Sequence, residues 1–227
     1  MILYVYAIAD GLDRVDDVAG AEGEPLTLER LEGMQVVAGA RTAAPTLAAE
    51  ALSMQDAVVR TLHSRAAALL PMRFGASFGS VAALERAMAL RAPALRERLT
   101  VVRGREQMTL RVLGVRGVRG GTGAAGAAGA GGTGGTGAAG AAGAAYLRER
   151  AARAVPPAVL PLLAALEALQ RATRVEAGRS QGVVATVYQL IERGASAEYA
   201  AAVRSAAGAL PALTIRVSGP APCYALT

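Results

Sequence analysis

Apolar and polar positions in the first third of the chain follow two different periods, and each period predicts a type of element. Residues 1–9 (MILYVYAIA) are rich in β-forming residues and predict a strand. Residues 25–32 and 34–41 are short runs on either side of Gly33, which predicts a β-hairpin. Between residues 47 and 69 the apolar positions recur at helical spacing, so we predict an amphipathic helix there.

Prolines and a serine mark the next boundaries. Pro71 is expected to end this helix, and residues 70–74 are expected to be extended, because a proline disfavours the α conformation in the residue before it. Ser80 can cap a second helix that runs to about residue 98, and Pro93 is expected to kink or divide it. Residues 107–113 (QMTLRVL) alternate and predict a strand that closes the first domain.

The pattern partly recurs in the last third of the chain. Residues 158–171 predict a helix with its inner face formed by the leucines at 160, 163, 166 and 169. Residues 182–191 predict a strand, 197–209 a helix and 213–217 a strand. The order strand, hairpin, helix, strand, helix, strand is close to the split βαβ plan of a ferredoxin-like sandwich. We therefore predict an α+β fold with two such sandwiches in tandem.

A low-complexity stretch of glycine, alanine and threonine separates the two patterned regions. It buries too little apolar area to offset chain entropy, so we predict a flexible linker or loop at 117–145 between domains 1–116 and 146–227. The stretch is long enough to cross a bilayer, but these residues partition poorly into hydrocarbon, and we expect no membrane span. Its G-x-G-x-x-G match at 121–126 is expected by chance in such a composition.

The composition removes several classes of chemistry. All 24 basic residues are arginine, so the chain has no lysine for a Schiff base or a P-loop. One histidine (His63) and one cysteine (Cys223) cannot build a His/Cys zinc site, and a single thiol suits a reducing cytoplasm. Carboxylates such as Glu22 and Glu24 are expected in a solvated loop. We predict no metal site and no cofactor.

Gly75, Ser77 and Gly79 match the G-x-S-x-G pattern of serine hydrolases. That chemistry needs a histidine to accept the serine proton, and in the hydrolase fold this histidine follows the serine along the chain. His63 precedes Ser77 and lies in a predicted helix. We therefore predict a glycine-rich turn here, no catalytic residue, and no enzymatic activity.

The net charge of +6 is concentrated in one segment. In Arg96–Arg119, seven arginines stand against two glutamates. Such a patch can meet nucleic acid, an anionic membrane or an acidic protein, or it can be a solvated face. Together with the aromatic side chains of Phe74, Phe78, Tyr4 and Tyr6, it leaves open an RNA- or nucleotide-binding module. RNA-recognition sheets also have a ferredoxin-like fold and stack bases on aromatic residues.

Four segments in order along the chain form a more specific combination than any of these motifs. They are residues 3–8 (LYVYAI), 69–78 (LLPMRFGASF), 99–113 and 218–226 (SGPAPCYAL). In this order they resemble the opening strand, the hallmark segment, the closing strand of the first domain and the Gly-Pro-rich tail of the gas vesicle F/L proteins (GvpF/GvpL). Gln55 takes the place of a histidine that many members carry in the first long helix.

The resemblance implies two ferredoxin-like domains, the second one modified, followed by a C-terminal tail. It implies a non-enzymatic accessory protein that binds the hydrophobic shell protein GvpA and other accessory gas vesicle proteins during assembly. The location it implies is the gas vesicle and the cytoplasm. Nucleic acid is not an expected partner, and the oligomeric state stays open.

Two groups of residues within the matching segments are candidates for structural or interaction roles. We expect a hub that joins strand to helix, with Arg73 paired to a carboxylate across the domain junction; its members are Leu70, Pro71, Arg73, Phe74 and Gly75. We expect a tail that docks back across the fold; its residues are Gly219, Pro220, Pro222 and Tyr224. Motifs of proline, glycine and aromatic residues more often fix a backbone path than touch a ligand.

Overall fold

The computed structural model describes residues 1–114, 155–178, 180 and 182–226. The elements of the first half are β1 (Ile2–Asp10), β2 (Leu26–Leu31), β3 (Met34–Arg41), α1 (Ala49–Arg65), β4 (Ala68–Pro71), β5 (Ser77–Phe78), α2 (Val81–Ala89), α3 (Ala92–Val102) and β6 (Arg105–Gly114). Those of the second half are α4 (Leu160–Ala165), β7 (Ala172–Ala177), β8 (Val183–Glu192), α5 (Ser196–Gly208) and β9 (Leu213–Ala221). Within these ranges, none of the helices has the length and hydropathy to span a bilayer.

The chain divides into two compact units. The first consists of Met1–Gln107, Leu190–Arg193 and Pro220–Thr227, and the second of Met108–Gln189 and Gly194–Gly219. The predicted α+β class is confirmed, with two antiparallel sheets. The predicted domain limits at 116 and 146 and the predicted linker at 117–145 lie outside the described residues. The ferredoxin-like plan of each sheet stays a prediction.

The first sheet has the strand order β2-β3-β1-β4, with β5 as a further partner of β1. All of these neighbours are antiparallel. Strands β3 and β4 are connected through α1 and separated in the sheet by β1, which is a split βαβ arrangement. The predicted hairpin is confirmed, since Glu32 and Gly33 connect β2 to β3 with the positive φ values, 52° and 74°, that a two-residue hairpin turn requires.

A loop of residues 11–25 connects β1 to β2. Residues 11–25 carry four apolar side chains that are buried in the core, those of Leu12, Val15, Val18 and Ala21. The Tyr6 hydroxyl donates a hydrogen bond to Glu24 Oε1, and the Glu24 side chain is almost fully buried. The predicted solvated position is therefore wrong for Glu24, whereas Glu22 is exposed as predicted. An apolar residue at every third position packs this segment against the sheet.

Side chains of β1 alternate between two covered faces of the first sheet. Tyr4 and Ala9 belong to a core cluster that includes Val59 and Leu62 of α1. A β-bulge at Tyr6 brings Tyr6 and the next residue, Ala7, onto this same face, because the register with β3 shifts between Val5 and Ala7. The opposite face, which includes Val5 and Ile8, lies against α2 and α3.

Helix boundaries follow the predicted signals at one helix and depart from them at another. The Ser80 Oγ accepts a hydrogen bond from the Ala83 N–H at 3.2 Å, which confirms the predicted cap, and Pro93 lies in the first turn of a separate helix α3. Helix α1, however, ends at Arg65, well before Pro71. It ends there because Ala68–Pro71 pair with β1 as strand β4.

The strand predicted over residues 107–113 is present as β6, but it does not close the first sheet. It belongs to the second sheet, which has the order β7-β8-β6-β9. The alternation of buried Met108, Leu110 and Val112 is as predicted. The predicted assignment of this strand to the first sheet is therefore wrong. Alternation indicates which side chains are buried, but it does not specify which strand is the pairing partner.

The second unit contains a shorter helix than predicted and one strand that was not predicted. Helix α4 ends at Ala165 and continues as a 3₁₀ turn, Glu167–Leu169. Leu162 and Leu166 are fully buried whereas Leu160 is 52% exposed, so the predicted inner face is only partly correct. Strand β7 was not predicted. The later strand, helix and strand are confirmed as β8, α5 and β9.

Candidate functional site

The turn after β4 is held by hydrogen bonds from β1 and from α1. The Tyr4 hydroxyl donates to Gln55 Oε1 and accepts from the Gly75 N–H at 3.1 Å. Gln55 Nε2 donates to the Met72 carbonyl at 3.2 Å. Gly75 has a φ of +84°, in the left-handed region that glycine adopts without strain. Burial raises the pKa of Tyr4, so its hydroxyl stays neutral and can donate.

The predicted hub residues have different environments in the structure. Leu70 is buried and Pro71 half-buried, and they pair with Ile8 and Ala7 of β1. Gly75 is at the turn held by Tyr4, and Phe74 is half-buried against a cavity of about 170 Å³. The side chain of Arg73 is exposed and forms no ion pair with any described residue. The predicted Arg73–carboxylate pair is therefore not observed in the described part of the chain.

Arg41 lies at the centre of a buried polar cluster that the sequence did not indicate. Its guanidinium forms an ion pair with Glu22, lies 3.8 Å from Glu24 Oε1 and stacks 4.7 Å from the centre of the Tyr4 ring. The Tyr4 and Tyr6 rings pack edge to face with centroids 5.0 Å apart. Burial and the hydrogen bond to Glu24 raise the pKa of Tyr6. The cluster joins β1, β3 and the loop at 11–25 and is a structural support.

The C-terminal tail lies on the outer side of α1. The Tyr224 hydroxyl donates to Asp56 Oδ1 at 2.7 Å, and Arg60 Nη1 donates to the Pro220 carbonyl at 3.1 Å. Asp56 and Arg60 form an i,i+4 ion pair of 2.6 Å, so one pair on α1 holds the tail at two points. Burial, followed by the hydrogen bond to Asp56, raises the pKa of Tyr224. Gly219 lies in β9 with a φ of +123°.

Buried groups anchor the tail further. Pro222 and Cys223 are buried, and the Ala225 N–H donates to Gln107 Oε1 at 2.8 Å. Burial raises the pKa of the Cys223 thiol to about 12, so the reactive thiolate is scarce at neutral pH. Cys223 is therefore a packing residue. The structure brings Pro220 and Tyr224 of the tail onto α1, and their partners there, Asp56 and Arg60, could not be identified from the sequence.

An open apolar groove lies between α2, α3 and the first sheet. Its volume is about 310 Å³, and its lining residues are Val5, Ile8, Met72, Phe78, Leu84, Ala87, Met88, Leu90, Arg91 and Leu95. All of these except Arg91 are apolar. The side chain of Leu90, at the junction of the two helices, is 88% exposed. A concave apolar surface with exposed leucine at its edge is typical of an interaction site.

The described residues give little support to a catalytic or an RNA-binding function. His63 is buried, and neither of its ring nitrogens has a hydrogen-bond partner among the described residues, so it does not act as a base on the Ser77 hydroxyl there. Among the described residues no three His, Cys, Asp or Glu side chains are grouped for a metal ion. Tyr4 and Tyr6 are fully buried and cannot stack on bases.

At least three of the arginines in the basic segment already have protein partners. Arg105 donates to the Val101 carbonyl at 2.6 Å and lies 3.8 Å from Glu192 Oε1. Arg96 donates to the Glu32 carbonyl at 2.6 Å, and Arg103 forms an ion pair with Asp10. Arg116 and Arg119 lie outside the described residues. The segment is therefore partly neutralised by contacts within the first unit, which weakens the case for a phosphate-binding surface.

Comparisons with known proteins give one consistent result. The chain matches the family model described as "Gas vesicle synthesis protein GvpL/GvpF" over residues 2–225. Its fold is similar to the crystal structure of gas vesicle protein GvpF from Microcystis aeruginosa, with a TM-score of 0.73, 14% identity, and coverage of 99% of this chain and 98% of that chain. GvpF from Anabaena sp. PCC7120 gives a TM-score of 0.71, 13% identity, and coverage of 99% and 97%. Among curated protein sequences, none matches this chain.

Proposed function

The chain belongs to the GvpL/GvpF family of gas vesicle synthesis proteins, and from this premise we propose that it is a non-enzymatic accessory protein of gas vesicle assembly. In this role it binds the hydrophobic shell protein GvpA and other accessory gas vesicle proteins in the cytoplasm and at the growing vesicle. The observation that carries the proposal is the match to the family model over residues 2–225.

The apolar groove supports a role in binding a hydrophobic partner. A small shell protein exposes apolar helices before it assembles, and these surfaces aggregate in water unless another protein covers them. The groove is lined by apolar side chains from two helices and from the sheet. Its inner lining, such as Val5 and Leu84, is buried, and Leu90 at its edge is almost fully exposed. Such a surface can cover an apolar helix of a partner for as long as assembly requires.

The polar networks of the first unit support a binding role rather than a catalytic one. The Tyr4–Gln55–Gly75 contacts and the tail contacts to Asp56 and Arg60 all end on structural partners within the unit. They fix the backbone around α1, on one side of the sheet. A rigid scaffold of this kind keeps a docking surface in shape without ordering cost at the moment of binding.

Capture of GvpA by the tagged, co-expressed chain tests the proposal. Binding that rests on apolar contact should change little between roughly 50 and 200 mM salt, whereas RNA binding through several arginines should fall steeply over the same range. The same samples are probed with single-stranded RNA. Salt-resistant capture of GvpA is the expected result. Absence of capture at both salt concentrations, with RNA bound at low salt only, would contradict the proposal and favour the RNA-binding alternative.

A further inference from the structure

The two faces of the first sheet are covered to different extents. Helix α1 and the loop at 11–25 close one face, and their apolar side chains form a continuous buried cluster with those of β1. On the other face, α2 and α3 leave the open groove of about 310 Å³ described above. Leu90 is at the edge of this groove and is 88% exposed, and Val81 at the start of α2 is also exposed. Among the described residues, this face of the sheet is therefore the less fully covered one.

Unpaired positive charge accompanies the groove. The segment 81–102 carries four arginines and two glutamates. Of these arginines, Arg96 contacts Glu32, whereas Arg86, Arg91 and Arg98 are exposed and form no ion pair with any described residue. Arg91 itself lines the groove, as its one charged residue. An acidic side chain placed beside an apolar stripe would complement this charge.

The strands beneath the groove restrict how a partner can bind. Strand β1 pairs with β3 on one side and with β4 and β5 on the other, so it has no free edge there to which another strand could add. Recognition must then use side chains, as when an amphipathic helix lies in an apolar groove. The volume is at the low end for ligand pockets, which suits a few apolar side chains from one helix face.

From these observations we propose that the groove between α2, α3 and the first sheet binds an amphipathic helix of a partner protein that carries an acidic residue beside its apolar stripe, with that residue against Arg91. The identification of the partner as a gas vesicle protein rests on the proposed function. The chemistry of the groove does not, because it follows from Leu90, Arg91 and the apolar lining alone.

A pair of synthetic helical peptides tests the chemistry directly. Both have about 15 residues and the same leucine stripe at i, i+3, i+4 and i+7, and they differ only in carrying glutamate or lysine beside the stripe. Binding to the full chain is measured by fluorescence anisotropy. We expect the glutamate peptide to bind about tenfold more tightly than the lysine peptide at low salt. Equal affinity for the two peptides would overturn the proposal.

Variants of the groove locate the site. Leu90→Asp should weaken binding of the glutamate peptide about tenfold or more, and it should fold because Leu90 is exposed. Arg91→Glu should reverse the preference, so that the lysine peptide binds more tightly. Matched controls are Leu47→Asp, at a leucine that is 73% exposed outside the groove, and Arg204→Glu, at an exposed arginine of the second unit. Equal effects of the control and groove variants would overturn the assignment.

The same variants separate this proposal from the proposed function. If the wild-type chain captures GvpA and Leu90→Asp captures it equally well, the proposed function stands and the groove is not the GvpA-binding site. If the peptides discriminate as expected but no GvpA is captured, the groove proposal stands and the proposed function fails. A dimer of the chain that Leu90→Asp dissociates would overturn the proposal, because the occupant would be a second copy.

Discussion

His63 makes the stability of the first unit depend on pH between about 6.5 and about 4. Its side chain is on the inner side of α1, and only 9% of the residue is exposed. Within the part of the chain that the structure describes, neither ring nitrogen has a hydrogen-bond partner. Burial, assisted by the positive charges of Arg193 and Arg60, lowers the pKa of His63 from 6.5 to about 4. The folded protein therefore keeps this imidazole neutral where an unfolded chain would protonate it.

The direction and size of the effect follow from proton linkage. Because the folded pKa is lower, the unfolded state binds the proton first, so stability is complete above pH 6.5 and falls as the pH falls towards 4. Relative to neutral pH, the two pKa values give a loss of about 1.4 kcal/mol at pH 5.5 and about 2.5 kcal/mol at pH 4.5. These losses are large against the stability of an ordinary domain.

Urea unfolding of the wild-type chain and of His63→Leu at pH 7.5, 5.5 and 4.5 measures the loss. Leucine has no proton to bind and leaves no unpaired nitrogen, so the variant should lose about 2.5 kcal/mol less than wild type between the first and last pH. The chain has one histidine, so its imidazole proton signal in NMR reports the pKa directly. Parallel pH dependence of the two proteins, or an imidazole that titrates near pH 6.5, would refute the reasoning.

Three further substitutions test the hub and the tail. Gly75→Ala should cost about 1–2 kcal/mol because alanine is strained at a φ of +84°, whereas Gly79→Ala, in open space without a positive φ, should stay within about 0.5 kcal/mol in urea unfolding. Tyr4→Phe removes the acceptor of the Gly75 N–H and should cost about 1–3 kcal/mol, and unchanged stability would contradict the hub. Tyr224→Phe should speed removal of C-terminal residues by carboxypeptidase, followed by mass spectrometry, with a loss of at most about 1 kcal/mol because its bond to Asp56 is exposed. Equal cleavage rates would show that this hydroxyl does not hold the tail.

Elements with strong local signals could be predicted from the sequence. The two-residue turn of the hairpin needs positive φ values, which glycine adopts easily, and Gly33 occupies this turn. Ser80 caps the start of α2, and Pro93 marks the division of the predicted helix, because it lies in the first turn of the separate helix α3. In each case the signal lies within a few residues of the structure that it specifies, so no knowledge of the rest of the chain was needed.

The errors occur where distant segments decide the outcome. Helix α1 ends at Arg65 because residues 68–71 pair with β1 as strand β4. Strand β6 belongs to the second sheet, although its alternation of buried side chains is as predicted. The loop at 11–25 buries its apolar side chains in the core cluster formed with α1 and the sheet. Local pattern specifies which side chains are apolar, whereas pairing and burial depend on topology.

Only part of the candidate site could be predicted from the sequence. The resemblance pointed to the hallmark segment and the tail, and the structure adds the partners of both, Gln55 for the first and Asp56 with Arg60 for the second. The groove could not be predicted, because it combines β1, the segment after β4 and two helices. The one local signal was an apolar Leu90 beside Arg91 at the junction of two helices.

Gas vesicle formation in the cells that encode this chain tests the central claim most directly. The gene is deleted and then restored either as wild type or as Leu90→Asp, and vesicles are counted by electron microscopy. If the chain is an accessory protein of assembly, deletion should abolish vesicles, the wild-type gene should restore them, and Leu90→Asp should restore few. Vesicles in normal number without the chain would contradict the claim.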